Sequence, residues 1–246
     1  MDESFDRNLD QTGQHYMIDR SLIDFIVNSA ELEKDDVVLE IGYGKGFLTR
    51  PLSKKCQIIA IDIEEIKIDV KNVVFIHGNI LDLFDELYEK YRFNKIVANI
   101  PYNISEPLMK LLFKHLEIES VVLTLGKSFA DILMKTDNRI GALSSTLYDV
   151  DLLRVVKPKS FSPHPRVDSA VIKLEPKTDA LSKLYSQLVL LDDKKLKNAM
   201  ESILKDKTKR QVKELTVHPL FNKKLYELNN KEFSELDEWL REAQLH

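Results

Sequence analysis

An apolar run of strand character, Ile96-Val97-Ala98, carries the chain into Asn99-Ile100-Pro101-Tyr102, a tetrapeptide able to do chemistry. A carboxamide accepts and donates hydrogen bonds at once. Proline cannot donate to a sheet ladder, so it ends the strand and stiffens the turn beyond it. A tyrosine ring beside it offers a face for stacking. The same residues also make an ordinary strand end, with Asn and Tyr decorating a loop. The rest of the chain has to decide between the two readings.

The chain holds seven glycines, and Gly42, Gly44 and Gly46 fall together in LEIGYGKGFLT. Glycine lets a strand-to-helix turn take positive φ and lets a ligand approach the backbone. At a helix start after the first strand of an α/β unit, this is a nucleotide-binding turn. The G-x-G-x-G spacing is not the G-x-G-x-x-G of dinucleotide enzymes, and the Lys-Ser/Thr of a phosphate loop is missing. Glu40 just before the turn repels a pyrophosphate but can hold an ammonium group. That combination predicts a ligand with an amino-acid end and an adenosine end, S-adenosylmethionine. Asp62, about 20 residues on, closes the second strand where an acid hydrogen-bonds ribose hydroxyls. It also reads as a capping or surface acid, with Glu64 and Glu65 nearby. Asn79 after Gly78 stands beside the expected adenine site. Its oxygen can accept from the adenine amine and its NH₂ can donate to a ring nitrogen. Gly78-Asn79 is equally a plain turn pair.

These residues need a frame, and the hydrophobic pattern supplies one. Residues 20–31 read as an amphipathic helix with Leu22, Ile23, Ile26 and Val27 on one face. DDVVLEIG, QIIAIDI, VVFIHGNIL, KIVANI and SVVLTL read as strands. GFLTRPLSKK, LFDELYEKY and SEPLMKLLFKHL read as the helices between them. This alternation predicts right-handed crossovers and a parallel sheet covered on both faces. LLRVVKP and SAVIKLEP add an antiparallel pair at the sheet's edge. After Pro176 glycine disappears and Leu196, Met200, Ile203 and Leu204 form a helical stripe. The expected domains are therefore 1–176, α/β, and 177–246, helical.

Composition narrows the function classes. Hydrophobic residues make up 43% and charged residues 31%, as in a globular protein with a real core. The apolar runs are of strand length, short of the roughly 20 residues a membrane span needs, and MDESFDRNLD does not read as a secretory signal. Cys56 is the only cysteine, which excludes intramolecular disulfides and thiolate clusters and fits a cytoplasmic home. A net charge of −4 argues against coating nucleic acid non-specifically, so any RNA is met by local patches.

The motifs in this order resemble the ribosomal RNA adenine N6,N6-dimethyltransferases, the KsgA/Erm-type family, and most of all its small-subunit branch. GQHYMID, residues 13–19, is similar to the family's Gln-x-Phe-Leu element against the cofactor, implying Gln14, His15 and Tyr16 as cofactor contacts. LEIGYGKGFLT resembles its cofactor loop, and the same likeness adds Ile63, Gly78 and Asn99 to Glu40, Asp62 and Asn79. NIPYNIS resembles its catalytic motif, and FSPHPRVDSAVIKLEP, residues 161–176, its Phe-x-Pro-x-Pro-x-Val-x-Ser-x-Val segment. The resemblance implies a Rossmann-like class I methyltransferase with a mostly parallel seven-stranded sheet and a small C-terminal helical domain that binds RNA. It implies S-adenosyl-L-methionine as cofactor and dimethylation of adenine N6 in small-subunit ribosomal RNA, within a pre-ribosomal particle. The expected protein is monomeric, with no metal and no membrane partner. In the family's mechanism the Asn99 side chain and the backbone carbonyl before Tyr102, that of Pro101 with Ile100 between, accept hydrogen bonds from the amine. Tyr102 stacks on the extruded base, and Phe161 is either a second wall of that slot or a core aromatic.

Three stretches depart from the family pattern. GKSFADI places Gly126, Ser128 and Ile132 where Gln, Glu and Arg are usual. Asn79 replaces a customary Asp. A basic run of the tail is represented by Lys194, Lys195 and Lys197, which either touch RNA phosphates or line a solvated helix face.

Overall fold

The computed structural model describes residues 15–242. Two compact units divide the chain. The first takes the chain up to Leu111 together with Glu117–Asp131 and Val150–Pro176; the second takes Leu112–Leu116, Ile132–Asp149 and the chain from Lys177 onward.

The first unit is built on parallel strands. β1 (Tyr16–Met17) precedes helix α1 (Arg20–Ser29), whose buried face is Leu22, Ile23, Ile26 and Val27. Asp19 caps α1 by accepting from the Ser21 and Leu22 amides, which satisfies donors that a helix start leaves orphaned. β2 (Val37–Ile41), the short α2 (Thr49–Leu52), β3 (Gln57–Asp62), β4 (Val73–His77), α3 (Ile80–Tyr91) and β5 (Lys95–Asn99) come next. Then come a 3₁₀ turn (Tyr102–Ile104), α4 (Ser105–Leu112), β6 (Ser120–Gly126) and α5 (Lys127–Leu133). After α6 (Arg139–Leu147) the chain forms β7 (Tyr148–Val156), β8 (Phe161–Ser162) and β9 (Ser169–Pro176). The main sheet has seven strands in the order β4-β3-β2-β5-β6-β9-β7. The β4-β3-β2-β5-β6 pairs are parallel and β9 runs antiparallel to β6. β1 and β8 pair antiparallel in a separate ribbon, with Met17 opposite Phe161.

Strand order explains where the site lies. From β2 the chain winds outward through β3 to β4, then returns to the other side of β2 as β5. That reversal opens a crevice above the carboxyl ends of β2 and β5, where open α/β sheets bind ligands. The glycine turn leaves β2 there, and Asn99-Ile100-Pro101-Tyr102 leaves β5 there. The floor is rigid because β6 is buried along its whole length and Val38, Ile58, Ala60, Val97, Val122 and Val171 share one core with α1. Each buried Val or Ile among them contributes about 1.5–3 kcal/mol.

The helical unit holds α6, α7 (Ala180–Leu190), α8 (Leu196–Ile203), α9 (Lys209–Leu215) and α10 (Asn230–Glu242). Its core includes Leu188, Val189, Met200, Phe221 and Leu236. Tyr185 stacks on Phe233 at 5.7 Å, and Phe221 meets Trp239 edge-on at 4.8 Å. Residues before 177 belong to it too. The Tyr148 hydroxyl donates to the Leu112 carbonyl at 2.7 Å, the Lys177 amide donates to the Leu147 carbonyl at 2.8 Å, and α6 packs on α7. The sequence-based boundary at 176 thus meets an interleaved chain, in which α6, lying between two strands, serves the helical unit.

Candidate functional site

A cleft of about 170 Å³ opens at the crevice between β2 and β5. One wall is the glycine turn, with Gly42 and Gly44 on the lining. Gly44 has φ +47°, and a Cβ there would come within 2.7 Å of the Tyr16 ring. Only a residue with no side chain lets the turn and β1 close together. The Lys45 ammonium lies 4.7 Å from the centre of the same ring. Burial raises the Tyr16 pKa, and the charges of Glu64 and Asp62 add to the rise.

Asp62 stands on the lining at the end of β3 and shapes the turn itself. One carboxylate oxygen accepts the Gly44 amide at 2.9 Å and the other accepts the Glu64 amide at 3.0 Å. Ile63 projects beside it with 65% of its surface exposed. Gly78 and Asn79 form the next wall. The Asn79 oxygen accepts the Leu81 amide at 3.1 Å, and its NH₂ donates to Asp82 at 2.9 Å. Asn79 is therefore the N-cap of α3. Its NH₂, expected to meet an adenine ring nitrogen, is directed at Asp82 instead.

The third wall is His15 with Asn99, Ile100, Pro101 and Tyr102. The Asn99 NH₂ donates to the His15 main-chain oxygen at 3.0 Å, which leaves the side-chain oxygen with no donor among the described residues. The His15 Nδ1–H in turn donates to the Pro163 carbonyl at 3.0 Å. The Ile100 amide donates to the Thr124 carbonyl at 3.0 Å. The Pro101 carbonyl, expected to face an amine, accepts the Ile104 amide at 3.2 Å as the 3₁₀ turn begins. The Ile100 carbonyl has no donor among the described residues. Tyr102 is half-buried, with its hydroxyl 2.7 Å from Ser169 Oγ. Burial raises its pKa, and the Ser169 hydrogen bond opposes that rise.

Several residues singled out from sequence lie elsewhere. Glu40 is off the lining, although its neighbours Ile41 and Gly42 are on it. It is 1% exposed, one carboxylate oxygen has no partner among the described residues, and burial pushes its pKa up to about 8. The Asp62 charge adds to that rise, while the Thr49 hydroxyl and amide oppose it. Gly46 also lies off the lining and has φ +76°. Phe161 is 1% exposed and packs in the core with Met17, so it is the core aromatic and not a wall of the slot. Lys194 and Lys195 are exposed in the helical unit, where Lys195 bridges to Lys224. Gln14 lies outside the described residues. The lining also includes Ile41, Ile61, Ile80, Asn103 and Ile104, which sequence reasoning missed. Ile41, Ile61, Ile80 and Asn103 each adjoin a singled-out residue at a strand end or turn, and Ile104 lies two beyond Tyr102, and that nearness was the only signal. In GKSFADI, Gly126 lies against the Tyr102 ring and Lys127 pairs with Asp131.

Among the described residues no group of three or more His, Cys, Asp or Glu side chains could hold a metal ion, and no helix is long and apolar enough to cross a membrane. Known proteins resemble the whole arrangement. The family described as ribosomal RNA adenine dimethylase matches residues 6–238. A protein of Methanopyrus kandleri named "probable ribosomal RNA small subunit methyltransferase A" is 38% identical over 184 residues, 68% of this chain and 63% of that one. Its namesake in Pyrococcus abyssi is 31% identical over 258 residues, 96% of this chain and 93% of that one. The crystal structure of a dimethyladenosine transferase from Plasmodium falciparum shares the fold, with a TM-score of 0.62 at 24% identity over 94% of this chain and 99% of that one. With a family match over nearly its whole length and relatives above 30% identity, the chain belongs to the ribosomal RNA adenine dimethylase family.

Proposed function

We propose that this protein transfers methyl groups from S-adenosyl-L-methionine to the N6 amine of adenines in small-subunit ribosomal RNA, twice per base. The observation that carries the reading is the pair of oxygens at the end of β5. Asn99 Oδ1 and the Ile100 carbonyl have no donor among the described residues, on a rigid strand end that borders the glycine turn. The second acceptor is thus placed one residue before Pro101, whose own carbonyl is taken by Ile104.

The residues present fit the cofactor. The glycine turn has no side chains where a ligand must approach, and Asp62 keeps acceptor capacity for a ribose hydroxyl at the end of β3. Asn79 retains an oxygen lone pair for an adenine amine, and Ile63 and Ile80 offer apolar flanks. When bound, the cofactor supplies an electrophilic sulfonium methyl and departs as a neutral thioether. The protein's part is to orient the amine. An adenine N6 lone pair is delocalised into the ring and attacks poorly. In the first transfer two acceptors drawing on its two N–H bonds pull the nitrogen toward tetrahedral geometry and aim the lone pair along the line of displacement, and in the second the one N–H left is held by one of them. With the cofactor bound, Asn99 Oδ1 and the Ile100 carbonyl would hold the amine in line with the methyl it supplies, and the proton lost from nitrogen would pass to water without a dedicated base. Tyr102 supplies a stacking face for the base taken out of its helix.

Exposed Lys194 and Lys195 contribute phosphate contacts in this reading, with the protein acting as a cytoplasmic monomer on a pre-ribosomal particle. Incubation with methyl-labelled cofactor and under-methylated small subunits, followed by digestion to nucleosides, tests it. Label in N6,N6-dimethyladenosine is the expected result. Measurable cofactor binding with no label in that nucleoside overturns the activity and leaves a non-catalytic assembly factor.

A further inference from the structure

The Tyr102 ring is seated by two residues that do not belong to the turn carrying it. Gly126, the last residue of β6, pairs in register with Ser169, the first of β9. Ser169 is fully buried, and its Oγ lies 2.7 Å from the Tyr102 hydroxyl. A Cβ placed on Gly126 would sit 3.5 Å from Tyr102 Cγ and 3.6 and 3.7 Å from the two Cδ atoms. That spacing describes a ring laid over the glycine, with room for a methyl group and nothing longer. Gly126 is not among the glycines of positive φ, so its conformation does not require glycine. Space does. The ring is thus fixed at both ends of its long axis: the Cγ end rests on Gly126 and the hydroxyl end is tied to Ser169. Two strands buried in the sheet set its plane.

We propose that Ser169 and Gly126 are positioning residues that hold Tyr102 as a pre-set platform for the extruded adenine of the RNA substrate. This rests on the methyltransferase reading of the cleft and deepens it. Neither residue touches the base or the glycine turn; each acts through the tyrosine ring. A platform already locked in place costs the incoming base no ordering of the side chain it stacks on. Its loss therefore falls on RNA binding and on the step it orients, and spares the cofactor.

The test compares Ser169→Ala, Tyr102→Phe and the double variant with the unaltered protein. One assay follows quenching of a single-stranded RNA oligonucleotide carrying 2-aminopurine, an adenine analogue dimmed by stacking. The other measures kcat and KM for under-methylated small subunits, with cofactor Kd and melting temperature recorded alongside. Each single variant is expected to raise the RNA concentration for half-maximal quenching, and the RNA KM, by about 3–10-fold, the worth of one hydrogen bond. Cofactor Kd stays within about twofold. The double variant is no worse than either single, because both remove the same bond. Gly126→Leu, which drives carbon into the ring, raises KM further. Additive losses in the double variant overturn the proposal. So do unchanged quenching and KM in Ser169→Ala, or a cofactor Kd that worsens in step with KM. Unaltered protein that quenches as expected but transfers no methyl overturns the enzyme reading and leaves the platform standing. Unaltered protein that fails to quench overturns the platform.

Discussion

The Asn99 carboxamide donates through its NH₂ to the main-chain oxygen of His15 at 3.0 Å, so the segment entering β1 decides which way the side-chain oxygen of Asn99 points. An amide can be turned either way at equal steric cost. A carbonyl placed beside it accepts only a donor, and that fixes the NH₂ inward and the oxygen toward the cleft. Asn99→Ala removes an acceptor used in the transition state. A fall in kcat of about 10²-fold or more is expected, with cofactor Kd little changed. Asn99→Asp falls comparably, because a carboxylate cannot donate to the His15 oxygen and is repelled by it. Single-turnover methyl transfer and calorimetric cofactor binding check both variants. Near-normal turnover in Asn99→Ala removes Asn99 from the mechanism, and in Asn99→Asp it removes the His15 contact as what orients the acceptor.

Gly44→Ala acts on the other side of the cleft. The new methyl meets the Tyr16 ring at 2.7 Å while the backbone is held at φ +47°. The left-handed conformation alone costs about 1–2 kcal/mol. Displacing Tyr16 also loosens the wall against which a ligand would rest. The expected result is a melting temperature lowered by several degrees and a cofactor Kd raised by about tenfold, read by thermal scan and calorimetry. An unchanged Kd would separate the turn from cofactor binding.

The frame was more legible than the site. The buried stripe Leu22, Ile23, Ile26 and Val27 appears in the sequence as it does in α1, because a 3.6-residue period leaves one face to the core. The parallel strands were legible because burial on both faces makes them continuous β-branched runs. β1 and β8 were not, since two residues carry no period. Glu40 shows the limit within the site. Its place before the glycines suggested a ligand contact, but the side chain is 1% exposed and off the lining, and such burial is set by packing that the local sequence does not carry. Pro101 shows the same limit in a turn, where a carbonyl's availability depends on a hydrogen bond from a residue further on.

Asp36 anchors the other end of the sheet. Its carboxylate accepts the Asn94 NH₂ and the Glu33 amide, both at 2.7 Å, and pairs with Lys95 at 2.9 Å. Burial works against the charge, but the Glu33 amide, Lys95 and Asn94 outweigh it and hold the pKa below the usual range. A depressed carboxylate stabilises the fold above its unfolded pKa of about 3.9, and the gain is lost as pH falls through the folded value. Asp36→Ala takes the ion pair from Lys95, which keeps the Glu31 carbonyl, and one hydrogen bond from Asn94, and is expected to cost about 2 kcal/mol at pH 7. The gap to the unaltered protein narrows on acidification below about pH 4, which denaturant titrations at stepped pH can follow. A gap that stays constant with pH excludes the charge as its source.

Glu40 reverses that pH dependence. It is buried, with one oxygen that has no partner among the described residues, and its pKa is pushed up to about 8 by burial, with the Asp62 charge adding and the Thr49 hydroxyl and amide opposing. Below the unfolded carboxylate pKa of about 4.3 the group is neutral in both states and costs nothing. Between that value and 8 the unfolded chain gains the ionised form more readily than the folded one, so stability drains as pH rises. The loss is complete once the folded group ionises as well. The drain amounts to a few kcal/mol by pH 8, of the order of 1.4 kcal/mol for each unit crossed. Glu40→Gln keeps the shape of the protonated acid and cannot ionise. It is expected to melt with the unaltered protein near pH 4 and several degrees above it at pH 8 to 9. If the two melting curves stay parallel across that range, Glu40 is ionised in the fold and its charge is met by a partner inside the sheet.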